Sequence, residues 1–191
     1  MKLMIASDLH GSACYCRQML QQLEQEQADR LLLLGDLLYH GPRNHIPYEY
    51  TPDSVIEQLN AVKDRLLCVR GNCDAEVDQM LLNFPIMETY ALLVDGGKRY
   101  LLTHGHIYNK ENMPKGPYDA IIYGHSHLWE LSHIEVPSLQ EGKAPIQRLV
   151  VNTGSITFPK GGNPPTLATL EDGKVTMYHL DTHEVLGEIE I

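Results

Sequence analysis

No apolar run in the 191 residues approaches the roughly 18 that a membrane-spanning helix needs, so the chain is not expected to enter a bilayer. Cysteine is scarce: Cys14, Cys16, Cys68 and Cys73 form no CxxC pair and no disulfide-framework spacing, which points to reduced thiols in a cytoplasmic protein. Basic residues are outnumbered, 15 Lys and Arg against 25 Asp and Glu. The resulting net charge of −10 argues against nonspecific binding along nucleic acid. Met1 runs directly into KLMIASD, with no basic n-region and no cleavage site, so no export signal is expected. Linkers, repeats and low-complexity tracts are missing too, and the length suits one domain over 1–191 with a proper core. One residue type is in excess. Ten histidines need an explanation.

The apolar pattern alternates between strands and helices. Lys2–Ala6 reads as a strand, Ser12–Ala28 as a helix with Met19, Leu20 and Leu23 on one face, and Arg30–Leu34 as a buried strand. Thr51–Asp64 reads as a helix that opens on Thr51-Pro52. Leu66–Val69 follows as a strand, then Asp74–Phe84 as a short helix capped by Asp74, with Met80, Leu81 and Phe84 turned to the core. After that the pattern becomes strand-rich. Hairpins turn at Gly96-Gly97 and Asp172-Gly173, and Ala120–Tyr123 and Leu149–Asn152 read as buried strands. Pro114–Pro117 and Pro137–Pro145 read as loops. A βαβαβα front half and a β-rich back half predict an α/β sandwich, parallel strands first and antiparallel later.

The strand ends carry the chemistry. The first leads into Asp8-Leu9-His10, the second into Gly35-Asp36, the third into Gly71-Asn72, a later one into His104-Gly105-His106, and Ala120–Tyr123 into Gly124-His125-Ser126-His127. In extended chain, residues i and i+2 point the same way, so His125 and His127 can aim at one object. Singly, each of these residues has an ordinary structural explanation. Five strands delivering oxygen or nitrogen ligands at their carboxyl ends, where open α/β sheets place sites, points to metal.

Two carboxylates, one amide oxygen and four imidazoles, with no thiolate, are too many ligands for one ion. They suit two divalent transition-metal ions, manganese first, with zinc, iron or nickel as alternatives. Such a pair about 3.5–4 Å apart clamps a phosphoryl group and activates a hydroxide. Asp36 is the natural bridge, having two oxygens and lying in sequence between the two ligand groups. Two divalent ions against Asp8 and Asp36 leave a local charge near +2, which would draw a phosphate to an otherwise acidic protein.

DLH, GD, GNCD, THGH and GHSH, in that order, resemble the calcineurin-like metallophosphoesterase superfamily. LMIASDLHGS, GDLLYHGPRN, VRGNCDAEVDQMLLNFP and GSITFPKGGNP are similar to its small bacterial YfcE-type phosphodiesterase branch, and the resemblance runs over essentially the whole chain. It implies a four-layer sandwich of two mixed β-sheets flanked by helices. It assigns one metal to Asp8, His10, Asp36 and His127, and the other to Asp36, Asn72, His104 and His125. A metal-bridging hydroxide is then the nucleophile, with Asp36, Asn72 and His104 in the catalytic centre. The expected substrate is a small-molecule phosphodiester. Relatives of this fold such as the retromer subunit act as protein-binding scaffolds, and larger ones as phosphomonoesterases or protein phosphatases. Scaffold members tend to lose ligands, whereas all seven are present here. The fold leaves room for a homo-oligomer.

One departure stands out. Many superfamily members carry a histidine that helps protonate the leaving group where this chain has Cys73, and a thiol is a poor proton donor to an alkoxide. Catalysis should then favour leaving groups that depart as anions, and Cys73 itself reads first as a small residue packed at a helix start and second as a residue that touches the substrate. His40, Arg43 and Asn44 follow the bridging Asp36 and are candidates to touch the substrate, Arg43 through a phosphate. Arg70 reads as a structural ion-pair partner, and His106 as a residue at the edge of the site. His45, His133, His179 and His183 read as surface or core residues.

Overall fold

The computed structural model describes residues 1–191. In chain order the elements are β1 (Leu3–Ala6), α1 (Ala13–Gln25), β2 (Arg30–Leu33), α2 (Pro52–Ala61), a 3-10 turn (Lys63–Arg65), β3 (Leu66–Cys68) and α3 (Glu76–Leu81). Eight strands complete the chain: β4 (Tyr90–Asp95), β5 (Lys98–Thr103), β6 (Ala120–Tyr123), β7 (Trp129–Val136), β8 (Ile146–Thr153), β9 (Thr166–Glu171), β10 (Lys174–His179) and β11 (Val185–Glu190).

The strands form two sheets, β11-β10-β9-β1-β2-β3 and β4-β5-β6-β8-β7. Both are mixed. β1, β2 and β3 pair in parallel and β9 joins β1 antiparallel; β5, β6 and β8 pair in parallel between antiparallel β4 and β7. β1 is buried on both faces because alternate residues serve different layers. Leu3 and Ile5 meet Tyr100, Leu102, Ile122 and Val151 of the other sheet, while Met4 and Ala6 face Met19 and Leu23 of α1 and Val55 and Leu59 of α2. Helices thus cover the six-stranded sheet. The outer face of the five-stranded sheet is covered instead at Leu101, Ile121, Tyr123 and Val150 by Tyr118 and Met113 of the loop between β5 and β6. The two predicted hairpins form, and both turn residues of each have positive φ (Gly96 55°, Gly97 78°; Asp172 50°, Gly173 85°), as a tight two-residue connection requires. No helix is long and apolar enough to cross a membrane.

The expected helix over Asp74–Phe84 is corrected. α3 is only six residues long, Met80 is 82% and Leu81 48% exposed, and of that stripe only Phe84 enters the core. So short a helix has no continuous face to bury, and the chain leaves it at Leu82 to bring Phe84 and Ile86 inward. Asp74 lies before the helix and does not cap it. Helices α1 and α2 are shorter than their apolar periods suggest, though Thr51 and Pro52 do mark the start of α2. The pattern reading also missed β7 and β11. The outermost positions of both in their sheets leave polar and apolar residues half exposed on either face, so neither shows a clean alternation.

Candidate metal centre

The loops that follow β1, β2, β3, β5 and β6 meet where the carboxyl ends of strands from both sheets converge. Backbone bonds knit them together: Asp8 N–H donates to Gly35 O (3.1 Å), His10 N–H to Asp36 O (2.8 Å) and Gly124 N–H to His104 O (2.8 Å). Five of the seven expected ligands have left-handed backbone, with φ of 60° at Asp8, 51° at His10, 57° at Asp36, 64° at His125 and 63° at His127. Each such residue stores roughly 1–3 kcal/mol, and strain of this kind persists where the surrounding structure enforces a functional geometry. The glycine between the second and third loops is forced by crowding. A Cβ on Gly71 would stand 2.1 Å from Asp36 Oδ1 and 2.3 Å from Asp36 N.

The imidazoles are anchored from behind. Nδ1 of His10, His104 and His127 lies 2.8, 2.6 and 2.8 Å from the carbonyls of Tyr39, Leu34 and Phe158. A carbonyl can only accept, so Nδ1 carries the proton and each Nε2 turns a lone pair inward. What those lone pairs meet is other acceptors. His127 Nε2 is 3.1 Å and His10 Nε2 3.6 Å from Asp8 Oδ1, while His10 Nε2 and His104 Nε2 are 3.7 and 3.4 Å from Asp36 Oδ2. His104 Nε2 is also 3.1 Å from Asn72 Oδ1 and 3.2 Å from His125 Nδ1. The outer carboxylate oxygens are already engaged. Asp8 Oδ2 accepts from Ser7 Oγ (2.6 Å) and His125 N–H (3.0 Å), and Asp36 Oδ1 from Cys73 N–H (2.8 Å). The inner Asp8 Oδ1 and His10 Nε2 are buried with no hydrogen-bond partner.

With neutral imidazoles these are buried acceptors converging without donors, an arrangement that favours a cation between them. The protonation equilibria lean the same way. Burial would raise the Asp8 carboxyl, yet His10 and His127 hold it well below the usual carboxylate range. Burial opposes charge on His104, but Asp36 and then Asp8 raise it to about 9; burial and the neighbouring His104 push His125 down to about 4. Two carboxylates thus attract positive charge into a space where facing imidazoles cannot all be protonated. Asp8–His10–His127, Asp8–Asp36–His104 and His10–Asp36–Cys73 each bring their ligand atoms within 4.8 Å of one another, which makes this cluster a candidate metal site. One oxygen of Asp36, Oδ2, faces both His10 and His104.

Above the cluster opens a cavity of about 300 Å³. His10, Asp36, Asn72, His125 and His127 line it, as do Arg43, Asn44 and Cys73, while Asp8 and His104 lie fully buried beneath. His40 does not line it; its ring packs against Tyr39 and Tyr50, at centroid distances of 4.8 and 5.3 Å. His106 is exposed beside His104, outside the lining. Arg70 donates from Nε to Asp74 O (3.1 Å) and pairs with Glu76 (3.5 Å). His183 is tied to Gln22 and Glu26 of the α1 region, far from the cluster in the fold.

Sequence reasoning missed two participants. Lys160 lines the cavity from the loop after β8. Asp74, read as a helix cap, is buried and accepts the N–H groups of Asp36 (2.9 Å), Leu37 (2.8 Å) and Gly71 (2.7 Å), clamping the ends of β2 and β3 together. Removing one partner of a buried charged interaction typically costs about 3–5 kcal/mol, and Asp74→Ala is expected to lose that much in urea unfolding. Asp74→Asn keeps only part of the acceptor set and should fall between. A loss below about 1 kcal/mol for Asp74→Ala would show that the clamp is not needed.

A calcineurin-like phosphoesterase superfamily domain model matches residues 1–174. Phosphodiesterase YfcE of Escherichia coli K12 is 40% identical over 192 residues, spanning 100% of this chain and 98% of that protein. The solved structure of Yfce, a phosphoesterase from E. coli, superposes with a TM-score of 0.88 at 38% identity and full coverage of both chains. A probable metallophosphoesterase, YsnB of Bacillus subtilis, is 27% identical over 95% of this chain and 91% of its own length.

Proposed function

The chain belongs to the calcineurin-like phosphoesterase superfamily, and from that premise we propose that it hydrolyses a phosphodiester bond with two divalent cations held by the Asp–His cluster. The observation that carries this reading is Asp36 Oδ2, which faces His10 Nε2 on one side and His104 Nε2 on the other. Asp8, His10, Asp36 and His127 would hold one ion; Asp36, Asn72, His104 and His125 would hold the second. Manganese is the first choice for both, on a donor set of carboxylate, amide and imidazole without thiolate. When bound, such ions supply Lewis acidity toward phosphoryl oxygens and acidify a water. The chain's own contribution is positional. Backbone carbonyls fix the imidazole tautomers, Asp74 fixes the Asp36 backbone, and Arg43 reaches toward the substrate from the cavity wall.

A diester fits better than a monoester. A diester presents one negative charge to a cluster of about +2, whereas a monoester or inorganic phosphate presents nearly two and tends to lock both ions. The relative at 40% identity is named a phosphodiesterase. The cytoplasm suits four cysteines that are all unpaired.

Purified protein should carry two transition-metal ions per chain, lose activity on chelation and regain it with manganese. It should cleave aryl diesters faster than the matching monoesters, with inorganic phosphate as an inhibitor. Undiminished hydrolysis by chelated protein would remove the metals from the reading; a monoester preference at neutral pH would move it to phosphatase.

A further inference from the structure

Resting on the diesterase reading, we propose that the substrate carries a second phosphate on one of its ester substituents, and that Lys160, aided by Arg43, is the specificity-determining residue that binds it. The lining of the cavity restricts what the substituent can be. Only one of its eleven residues is hydrophobic and none is a phenylalanine, tyrosine or tryptophan. A nucleobase would find no phenylalanine, tyrosine or tryptophan ring to stack on there, since the aromatic rings present are the imidazoles of the Asp–His cluster, and an acyl chain would find no surface to bury against. A highly polar substituent is what this wall accommodates.

The charge of that substituent follows from the two cations. In a chain of net charge −10, Arg43 and Lys160 are the two lysine or arginine side chains in the lining, and neither takes part in any ion pair of the structure. The reacting phosphate has the Asp–His cluster for its own charge. Two further uncompensated cations beside it call for a further anion.

Lys160 is also held in place. Its N–H donates to His127 O (2.9 Å), while His127 Nδ1 bonds Phe158 O (2.8 Å), so the lysine's backbone is fixed reciprocally to a residue of the cluster. The following Gly161 passes so close to Leu128 that a Cβ would lie 2.8 Å from Cδ2. Arg43 sits in a loop closed by Asn44 Nδ2 donating to His40 O (2.7 Å). The ammonium supplies a compact charge and the guanidinium a planar fork, which together suit the three terminal oxygens of a phosphate monoester.

The test uses two nitrophenyl phosphodiesters of the manganese-loaded protein, one esterified to ethane-1,2-diol and the other to the same diol bearing a phosphate. The phosphate-bearing ester should show a kcat/KM higher by about tenfold or more, through KM, the lower end of what charge-assisted hydrogen bonds contribute. That ratio should fall toward one in Lys160→Gln and with rising salt, and invert in Lys160→Glu. Calorimetry with the matching non-hydrolysable phosphonates should give the same order of Kd. Equal kcat/KM and equal phosphonate affinity overturn the inference while leaving the diesterase intact. A ratio unchanged in Lys160→Gln overturns the role of Lys160. Hydrolysis of neither ester by the metal-loaded protein overturns the diesterase reading, and the inference with it.

Discussion

Asp36→Asn is expected to lower kcat by about 10³-fold or more and to weaken both metal ions together. Losing a single preorganised electrostatic group costs an active site about 10²–10³, and this one serves two ions. The substitution is worse than the loss of a charge. The Cys73 N–H donates to Asp36 Oδ1 at 2.8 Å and requires an acceptor there. An asparagine therefore keeps its oxygen on that side and turns its NH₂ to where Oδ2 stood, between His10 and His104. The bridging position would then present a donor with no lone pair to two cations. His127→Ala, by contrast, removes a ligand that faces only Asp8 among the carboxylates, and should weaken one ion more than the other. Folding separates from metal binding in this comparison. In the chelated protein burial opposes the Asp36 charge, but His104 outweighs both it and the repulsion from Asp8 and holds the Asp36 carboxyl below the usual carboxylate range. Chelated Asp36→Asn should therefore be less stable to urea at neutral pH than chelated wild type, a loss read separately from that of metal. Metal titration with both ions monitored decides the matter. If Asp36→Asn binds both normally and His127→Ala loses both, the bridge is misplaced.

The residues of this cluster could be read from the sequence because each follows an apolar strand whose direction is fixed by burial. β1, β6 and, after Arg30, β2 are apolar runs, and a parallel sheet sends the residues after such runs to one end. The pairing of His125 with His127 needed only the two-residue repeat of extended chain. What the sequence does not carry is convergence between separate loops. Lys160 is an exposed lysine between proline and glycine, with no period to mark it. It reaches the cavity because its loop bonds to His127, 33 residues earlier. Asp74 shows the converse error. An acidic residue before an apolar stretch is an ordinary helix-cap pattern, and nothing local reveals that its carboxylate is needed by the N–H groups of Asp36 and Leu37 in the loop after β2 as well as by Gly71 of its own loop. His40 stands beside Arg43 in sequence, yet the turn at Gly41 (φ 83°) sends its ring back toward Tyr50. The layer arrangement was legible as far as its two mixed sheets; that a loop rather than a helix covers the five-stranded sheet depends on Tyr118 and Met113, which a stretch rich in proline and glycine does not advertise.

Activity should fall steeply as the leaving group becomes more basic, from nitrophenol to phenol to an alkyl alcohol, and Cys73→His should flatten that dependence. Cys73 is half-buried in the cavity lining, with its sulfur 3.3 Å from Asn72 Nδ2. In the metal-free protein burial, and then the Asp36 carboxylate, push its thiol up to about 12, and even an ordinary thiol is a poor proton donor to an alkoxide. Its N–H, not its side chain, holds Asp36, and a substitution leaves that bond in place. An imidazole there has an ordinary pKa near 6.5 and can deliver a proton at neutral pH. General acid catalysis is typically worth about 10²–10⁴ in rate, and a nitrophenolate that leaves unaided gains little of it. Alkyl diesters should therefore accelerate in Cys73→His by up to that factor, with nitrophenyl diesters nearly unchanged. The new ring would start from a position that already lines the cavity. Cys73→Ser should change little in either series, since it replaces one poor acid with another. If Cys73→Ser instead loses a hundredfold with both metals still bound, the thiol takes part in the chemistry, and the missing-acid account of this site is wrong.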